Sequence, residues 1–440
     1  MKKKLFIETY GCQMNFSDSE IVASILKKEN YTVINDYKLA DVILINTCSI
    51  RENAETKVFN RLNELTSYKK TNPNLIVGVI GCMAERIKEE LFKKTKVDIL
   101  VGPDSYRDLP KILNEFGTTT PFSLNLSNYE TYDDIMPVRL DTNGITAAIS
   151  IMRGCENFCT YCVVPYTRGK ERSRNPETII EEAKDLFNKG YRDITLLGQN
   201  VNSYKWDNGN VNFPELIKRV AEISPLLRVR FATSHPKDFS DELIITISKY
   251  PNICKSIHLP IQSGNNRILK LMNRKYTREW YLDRIKSIRK FIPDASISTD
   301  IIVGFPSETE EEYEDTLFVM NLVKFDYAYM FKYSERPETT AQKKFKDDVL
   351  EEIKIERLTK VIDFQQKLSE DSNFKDLNKV HQILIEGVSK KSKDNFYGRN
   401  SQNKVIVFPK GNHSLGSYVK VKVTGYTSAT LLGTPINDLK

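Results

Sequence analysis

Three closely spaced cysteines, Cys155, Cys159 and Cys162, form the most specific chemical pattern in the sequence. Three thiolates within eight residues can surround one compact metal centre, and no fourth cysteine lies nearby. A structural zinc site usually has four ligands, so the missing ligand would be a distant histidine or an open coordination position. A 4Fe-4S cluster is normally held by four thiolates, so three would leave one iron free to bind a substrate or cofactor.

Cys12, Cys48 and Cys82 form a second set. Each follows an apolar, strand-like segment, at residues 5–7, 42–45 and 75–80. The cysteines are 36 and then 34 residues apart, which is the length of one strand, one helix and two loops. Parallel strands of an α/β sheet end along one edge, where ligands bind, so we expect the three thiols to converge. A single cysteine at a strand end is as readily a small buried hydrophobe, but the repetition favours a shared site.

The elements that position these cysteines follow two strand and helix alternations. Helical patterns in the first alternation cover residues 18–30, 51–71 and 84–95. Strand patterns in the second cover residues 147–152, 193–197, 227–232, 254–259, 295–303 and 326–333. Six such units predict a partial parallel barrel or an open sheet with functional residues at the strand C-terminal ends.

Local signals mark several boundaries in this second region. Asn175 before Pro176 predicts a helix start, and Gly190 predicts a helix end. Ser307 with Glu310 predicts a capping box. Residues 335–375 are charged and predicted to be a connecting helix, with buried contacts expected at Ile353, Leu358, Val361, Ile362 and Phe364.

The last part of the chain changes to period-two alternation with glycine turns, which predicts a small all-β barrel. The fold class is therefore α/β. We expect an N-terminal parallel α/β domain at 1–120, a central partial (β/α)6 barrel with its connecting helix at 140–375, and the β barrel at 376–440.

The net charge of +7 lies entirely in the last 63 residues of the chain. Residues 378–440 contain ten basic and three acidic residues, which predicts a module that binds a polyanion. The alternative is a solvated face with lysine-protected strand edges. The longest apolar runs are too short for a membrane span and the N-terminus is too short for a signal peptide, so a soluble cytoplasmic protein without a membrane partner is expected.

The sequence around Cys155, Cys159 and Cys162 resembles the radical S-adenosylmethionine superfamily. The resemblance rests on the cysteine spacing, on residues 152–155 and 162–165, and on the aromatic Tyr161 before the last cysteine. It implies that these cysteines hold a 4Fe-4S cluster whose open iron chelates S-adenosylmethionine. One-electron reduction would then cleave this cofactor to a 5′-deoxyadenosyl radical.

Residues 11–15, 46–48 and 81–84, together with the basic barrel, resemble the methylthiotransferase family of that superfamily. The resemblance implies that Cys12, Cys48 and Cys82 hold an auxiliary 4Fe-4S cluster. It also implies that the barrel is an RNA-binding TRAM domain. The open iron of the auxiliary cluster would serve the sulfur being transferred.

Residues 47–55 and 164–174 are similar to the MiaB subgroup, which makes 2-methylthio-N6-isopentenyladenosine in tRNA. The resemblance implies a tRNA substrate carrying N6-isopentenyladenosine. It also implies two S-adenosylmethionine molecules, one as methyl donor and one as radical source. A flavodoxin or ferredoxin is expected as electron donor, and the protein is expected to be a monomer.

Polar residues near the predicted strand ends are candidates for binding S-adenosylmethionine. With Tyr161 they are Gln199, Asn200, Ser234, Gln262, Arg274 and Asp300. Arg274 is a candidate because a guanidinium pairs well with a carboxylate, and the alternative is a solvated arginine after a helix. Candidate RNA contacts are Arg168, Arg172, Arg174, Lys390, Lys391, Lys393, Arg399 and Lys404.

Two alternatives remain open at this point. One is methylthiolation of another tRNA adenosine or of a ribosomal protein, which the residues after Cys48 disfavour. The other is a non-catalytic, metal-stabilised RNA-binding protein in which both cysteine sets hold zinc. Cys254 is predicted to be a packed thiol without a role.

Overall fold

The computed structural model describes residues 2–48, 52–118, 120–140 and 143–436, without the side chains of 52–55 and 89. The N-terminal sheet has strands β1 Lys3–Thr9, β2 Tyr31–Val33, β3 Val42–Asn46, β4 Ile76–Ile80, β5 Ile99–Val101 and β6 Phe122–Ser123. Its helices are α1 Gln13–Lys28, α2 Glu52–Ser67, α3 Cys82–Arg86, α4 Lys88–Lys94 and α5 Leu109–Asn114. All strand pairs are parallel, in the order β2-β1-β3-β4-β5-β6.

Helices cover both faces of this sheet, so its central strands are continuous apolar runs. Every residue of β3 is buried, and two apolar clusters lie on its opposite faces. The three predicted strands are confirmed. The predicted helix over 84–95 is two helices, because the backbone leaves helical geometry at Ile87.

The central domain has the strands β7 Thr146–Ser150, β8 Met152–Arg153, β9 Arg172–Ser173, β10 Asp193–Leu197, β11 Lys205–Trp206, β12 Val211–Asn212, β13 Arg228–Phe231, β14 Ser256–His258, β15 Ser296–Val303 and β16 Tyr327–Lys332. Its helices are α6 Val164–Arg168, α7 Pro176–Asn188, α8 Phe213–Ala221, α9 Asp241–Lys249, α10 Asn266–Leu271, α11 Arg278–Phe291, α12 Glu310–Val323, α13 Thr340–Lys344 and α14 Glu351–Phe374.

Six of these strands form the predicted partial barrel. They lie in two parallel sheets, β13-β10-β7 and β14-β15-β16, and a single parallel bridge from Val229 to Ile253 joins the sheets. One apolar cluster fills the space between the strands and the surrounding helices. The C-terminal strand ends therefore lie along one side of the domain, as predicted.

The boundary signals are partly confirmed. The Asn175 side chain caps α7, and Gly190 has a φ of 100° after that helix. The capping box is formed by Thr309 and Glu312, two residues later than the box predicted from Ser307. Ser307 has a φ of 65° and lies in the preceding turn, so it is outside the helix that it was predicted to cap.

The predicted connecting helix is α13 followed by the long α14. Val361 is fully buried as predicted, but Ile353 and Ile362 are exposed, which corrects that expectation. Polar side chains anchor the buried side of α14 instead. Gln365 and Ser369 donate hydrogen bonds to the carbonyl oxygens of Phe325 and Asp326, just before β16.

The C-terminal domain is a closed five-stranded barrel, as predicted. Its strands are β17 Val380–Val388, β18 Asn395–Arg399, β19 Val405–Pro409, β20 Tyr418–Tyr426 and β21 Leu431–Pro435, in the order β17-β18-β19-β21-β20. Inward residues alternate with outward ones and form a separate core. Across the described parts of the chain, no helix combines the length and apolar character needed to span a bilayer.

Candidate iron–sulfur active site

The first candidate centre contains Cys12, Cys48 and Cys82. Cys12 follows β1, Cys48 follows β3 and Cys82 begins α3 directly after β4, and these three strands are neighbours in the sheet. The backbones approach closely here, because a Cβ added to Gly11 would lie 2.4 Å from Cys48 Cβ. The predicted convergence of the three thiols is therefore present.

Arg168 enters this centre from the central domain. Its Nε donates to Cys82 Sγ at 3.1 Å, and its Nη2 donates to Asp18 at 2.8 Å and to the Asn15 side chain at 3.2 Å. A hydrogen bond from Cys48 lowers the pKa of Cys12 to about 6, and the charge of Arg168 adds to this. Burial raises the pKa of Cys82, which Arg168 opposes. The centre is thus a set of thiols beside a fixed positive charge.

The second candidate centre is the loop with Cys155, Cys159 and Cys162, between β8 and α6. Gly154 begins it with a φ of 80°, and a Cβ there would lie 1.8 Å from the carbonyl oxygen of Lys170. The Gly154 N–H donates to Gln199 Oε1 at 2.6 Å. Gln199, predicted to contact the cofactor, therefore holds the loop that carries the thiols.

Arg274 is the corresponding arginine of this second centre. Its Nη1 donates to Cys159 Sγ at 3.3 Å and to the Tyr161 hydroxyl at 3.4 Å. Its Nε donates to the Tyr276 hydroxyl at 2.9 Å, and its Nη2 to the carbonyl oxygen of Pro260 at 2.8 Å. Arg274 is thus buried against the thiols rather than solvated.

Burial dominates the electrostatics of the second set. It raises the pKa of Cys155 to about 11 and that of Cys162 to about 12. All six cysteines are free thiols, the donor type that iron–sulfur clusters require. Both sets therefore fit a cluster, and each is accompanied by an arginine that can stabilise its negative charge. Among the described residues, no three Cys, His, Asp or Glu side chains are grouped to hold one metal ion.

Buried polar atoms beside Arg274 suit a polar cofactor. Ser234 Oγ and His235 Nε2 are buried and have no hydrogen-bond partner among the described residues. His235 Nδ1 accepts from the Lys237 N–H, and burial lowers the pKa of His235 to about 2, so the ring is neutral. The His235 ring packs edge-on against Tyr276, which binds Arg274.

The remaining predicted cofactor contacts, Gln262, Asp300 and Asn200, differ in burial and in their hydrogen-bond partners. Gln262 is buried with a φ of 74°, and its backbone bridges to Ile301 of β15. The partly exposed carboxylate of Asp300 lies 3.3 Å from His258 Nε2. The Asn200 amide donates to Asp238 and accepts from the His235 N–H, so it shapes the strand end. Its contact with the cofactor stays a prediction.

Arg168, Arg172 and Arg174 do not lie on an RNA-binding surface. Each is buried and paired with a carboxylate: Arg168 with Asp18, Arg172 with Asp104 and Arg174 with Glu182. The predicted phosphate contacts are therefore wrong for this structure, because a phosphate would have to displace a buried ion pair.

Arg153 is a residue whose role the sequence reasoning missed. It is buried and lies 2.8 Å from Asp18 and 3.5 Å from Asp104, both of which come from the N-terminal domain. The signal was present, since Arg153 adjoins the Gly154–Cys155 pair and Asp18 follows the first cysteine motif. Only the packing of the two domains reveals that these residues pair.

The predicted RNA contacts on the barrel fall into two groups. Lys390, Lys391 and Lys393 are exposed in the turn between β17 and β18. Arg399 pairs with Glu386 and stays partly exposed. Lys404 bonds to Asp376 and Ser372 at the end of α14, so its ammonium group joins the barrel to the body rather than facing RNA. Ser49, Ile50 and Arg51, within the motif after Cys48, lie outside the described residues.

Three family models match the chain in the order of its domains. Residues 4–102 match the Uncharacterized protein family UPF0004, residues 149–320 match the Radical SAM superfamily, and residues 376–436 match the TRAM domain. The first two matches contain the two cysteine sets, and the third contains the barrel.

Curated relatives match over nearly their whole length. Two are named tRNA-2-methylthio-N(6)-dimethylallyladenosine synthase. The protein from Parabacteroides distasonis is 53% identical over 99% of this chain and 96% of its own. The protein from Bacteroides thetaiotaomicron is 53% identical over 98% of this chain and 96% of its own.

Solved structures share the fold at low identity. The radical S-adenosylmethionine methyltransferase TsrM from Kitasatospora setae has a TM-score of 0.58 at 13% identity, covering 78% of this chain and 75% of its own. The cobalamin-dependent S-adenosylmethionine radical enzyme OxsB has a TM-score of 0.55 at 14% identity, covering 83% of this chain and 56% of its own.

Proposed function

This chain belongs to the tRNA-2-methylthio-N(6)-dimethylallyladenosine synthase family, and from that premise we propose the reaction that it performs. It is a radical S-adenosylmethionine methylthiotransferase that adds a methylthio group to carbon 2 of N6-isopentenyladenosine, next to the anticodon in tRNA. The reaction uses one S-adenosylmethionine as methyl donor and a second as radical source. The observation that carries this function is the near full-length identity to enzymes of that name, combined with two separate three-thiol centres.

The two centres divide the chemistry. We assign Cys155, Cys159 and Cys162 to the radical 4Fe-4S cluster and Cys12, Cys48 and Cys82 to the auxiliary one. When bound, these groups supply reductive cleavage of S-adenosylmethionine and the sulfur for transfer, chemistry that side chains alone do not provide. Gly154 and Gln199 shape the radical loop, and Arg274 and Arg168 each donate to one ligand sulfur.

Four residues at the barrel strand ends are our candidates for binding S-adenosylmethionine. Ser234 is supported by its buried hydroxyl, which lacks a partner among the described residues, and Asp300 by its partly exposed carboxylate. Gln262 offers its side chain from a residue with positive φ beside β15. Tyr161 is supported by its hydroxyl contact with Arg274 next to Cys159. Arg274 itself donates hydrogen bonds to Cys159 Sγ and to the Tyr161 hydroxyl.

The TRAM barrel binds the tRNA in this proposal, with Lys390, Lys391, Lys393 and the partly exposed Arg399 as candidate phosphate contacts.

The three domains are assigned to residues 1–120, 140–375 and 376–440. A flavodoxin or ferredoxin is the proposed electron donor, and the protein is proposed to be a monomer. Its proposed location is the cytoplasm, because its substrate is tRNA.

The function is tested with anaerobically reconstituted protein, dithionite, S-adenosylmethionine and isopentenylated tRNA. Nucleoside analysis is expected to detect 2-methylthio-N6-isopentenyladenosine. If no methylthio adduct forms with both clusters assembled, the proposal is overturned. Isopentenyl-free tRNA is the matched control, and thiolation of that tRNA would contradict the substrate assignment.

Two cysteine variants separate the centres. Cys155→Ala is expected to abolish 5′-deoxyadenosine formation, because the radical cluster loses a ligand. Cys48→Ala is expected to preserve 5′-deoxyadenosine formation and to abolish thiolation. If Cys48→Ala still thiolates tRNA, the assignment of the auxiliary centre is wrong.

A further inference from the structure

Arg168 belongs to the radical domain, yet its guanidinium group lies in the auxiliary centre of the N-terminal domain. It is the last residue of α6, which directly follows the radical cysteine loop. Its Nε donates to Cys82 Sγ at 3.1 Å, 86 residues back in the chain. One domain thus completes the surroundings of the thiols that another domain supplies.

The Arg168 side chain is held in a fixed orientation but is not fully used. Asp18 and Asn15 bind Nη2, and Cys82 binds Nε. Nη1 is buried and has no hydrogen-bond partner among the described residues. The whole residue is only 3% exposed, so water does not take the place of a partner. A buried donor without a partner is costly, so an acceptor is expected where it lies.

Arg274 provides the comparison within the same molecule. It is equally buried and also donates to a ligand cysteine, but each of its three guanidinium nitrogens has a protein partner. Arg168 therefore differs from Arg274 in retaining one free donor nitrogen. The auxiliary centre is also the one that must hold transferable sulfur.

The surrounding charges also favour an anion. Arg168, Asp18, Arg153, Asp104 and Arg172 form a continuous buried ladder across the domain interface. Three guanidinium groups alternate with two carboxylates, so the ladder carries one excess positive charge, and one of its two ends is Arg168 beside Cys82. An anion bound at the Cys82 end would compensate this excess, because buried charges are stabilised by pairing.

We propose that Arg168 is a sulfur-binding residue, whose Nη1 donates to the anionic sulfur carried at the auxiliary centre. The inference rests on the proposed function and deepens it. A guanidinium fits this role because its rigid fork can bind Cys82 and a second sulfur at once, which a single ammonium nitrogen cannot do. Because Arg168 also belongs to the radical domain, it fixes the sulfur relative to the domain that generates the radical.

The test measures sulfur binding without catalysis. Full-length protein with Cys155, Cys159 and Cys162 changed to Ala is reconstituted so that it carries only the auxiliary cluster. The cluster is reduced with dithionite to its paramagnetic 1+ state, sodium hydrosulfide and, separately, sodium methanethiolate are titrated in, and the change in its electron paramagnetic resonance spectrum gives the Kd. In this background Arg168→Gln is expected to weaken binding by about tenfold or more, the loss expected for one hydrogen bond to a charged group.

Arg174→Gln is the matched control. It removes a buried arginine of the same domain that lies outside the ladder, because the hydrogen bonds of Arg174 go to Glu182, Thr178 and Ser150. Its Kd is expected to equal that of the background protein. Arg168→Lys keeps the charge without the fork and is expected to weaken binding less than Arg168→Gln does.

A hydrosulfide Kd that Arg168→Gln leaves unchanged would overturn the proposal. So would an equal loss in Arg174→Gln, since the effect would then follow from removing any buried arginine of this domain. If Arg168→Gln does not retain iron, Arg168→Lys decides, and a Kd equal to that of the background protein overturns the inference. The binding measurement uses neither tRNA nor turnover, so its failure leaves the nucleoside assay of the proposed function intact.

Discussion

At the scale of single residues, the shape of the radical loop depends on Gly154. Its positive φ and the carbonyl oxygen of Lys170, 1.8 Å from where a Cβ would be, leave no room for a side chain. Gln199 then fixes the Gly154 N–H. The three thiols of the loop are therefore positioned by a residue that has no side chain.

Gly154→Ala is expected to prevent loading of the radical cluster, because the clash is with backbone rather than with a flexible side chain. Iron per reconstituted protein should fall from about eight to about four, since only the auxiliary cluster remains. Gly190→Ala is the matched control, because Gly190 also has a positive φ but nothing lies within 4 Å of its Cβ position. A full iron content in Gly154→Ala would contradict this account.

The cysteines were predictable from sequence and their arginine neighbours were not. Thiol spacing and strand ends are local patterns, and they correctly predicted the convergence of Cys12, Cys48 and Cys82. Arg168 and Arg172 stand in a basic stretch that is typical of an RNA-binding loop. Their burial depends on Asp18 and Asp104, which lie far away in the chain and meet them only after the domains pack.

At the scale of elements, buried ion pairs join the two α/β domains. Glu182 on α7 pairs with Arg174 and with Arg139, and Arg139 also pairs with Glu20 on α1. Helices α1 and α7, one from each domain, are thereby both paired with Arg139, which lies between the two domains in the chain. The apolar periodicity of α7 predicts which face of the helix packs on the core, but it does not predict the ion pairs of Glu182.

Glu182→Gln is expected to destabilise the protein by about 3–5 kcal/mol, because it leaves the buried guanidinium charge of Arg174 uncompensated, while Arg139 keeps its pair with Glu20. Urea unfolding measures the loss. Glu177→Gln on the same helix is the control, since its pair with Arg219 is largely exposed and is expected to contribute less than about 1 kcal/mol. Equal midpoints for the two variants would contradict the importance of the buried pairs.

The junction of α14 and the barrel contains a carboxylate, Asp376, whose contribution to stability is expected to depend on pH. Burial opposes ionisation of Asp376, but His381 and Lys404 hold its pKa below the ordinary value of 3.8. A lowered carboxyl pKa contributes stability above that ordinary value, and this contribution is lost as the pH falls below it. Asp376→Asn is therefore expected to lower the thermal midpoint at pH 7, by a margin that shrinks below pH 4. A margin that is constant from pH 7 to pH 3 would rule out this role of the charge.

At the scale of the whole molecule, the positive charge is separated from the chemistry. The net excess of basic residues lies in the last 63 residues, whereas the cysteine centres lie in the preceding part of the chain, where basic and acidic residues are equal in number. The sequence predicted this separation correctly as a charge count. It did not predict that Lys404 serves the junction with α14, because that contact depends on how the barrel docks.

Changing Lys390, Lys391 and Lys393 to Ala is expected to weaken tRNA binding and to lower the slope of log Kd against log salt by about two to three. Filter binding at several salt concentrations measures both. The control changes Lys249, Lys286 and Lys290, which are exposed lysines of the central domain. An unchanged slope in the barrel variant, or an equal loss of tRNA affinity in the control, would contradict the assignment of this turn to the RNA interface.

The reach of Arg168 into the auxiliary centre has a consequence for the order of biosynthesis. The ribosome makes Cys82 86 residues before Arg168, a delay of roughly 4 to 17 seconds at 5–20 residues per second. During that interval the nascent N-terminal domain presents its thiols without the guanidinium that accompanies them in the finished protein. The auxiliary centre is therefore complete only after the start of the radical domain has left the ribosome, and iron delivered earlier would meet a different electrostatic environment.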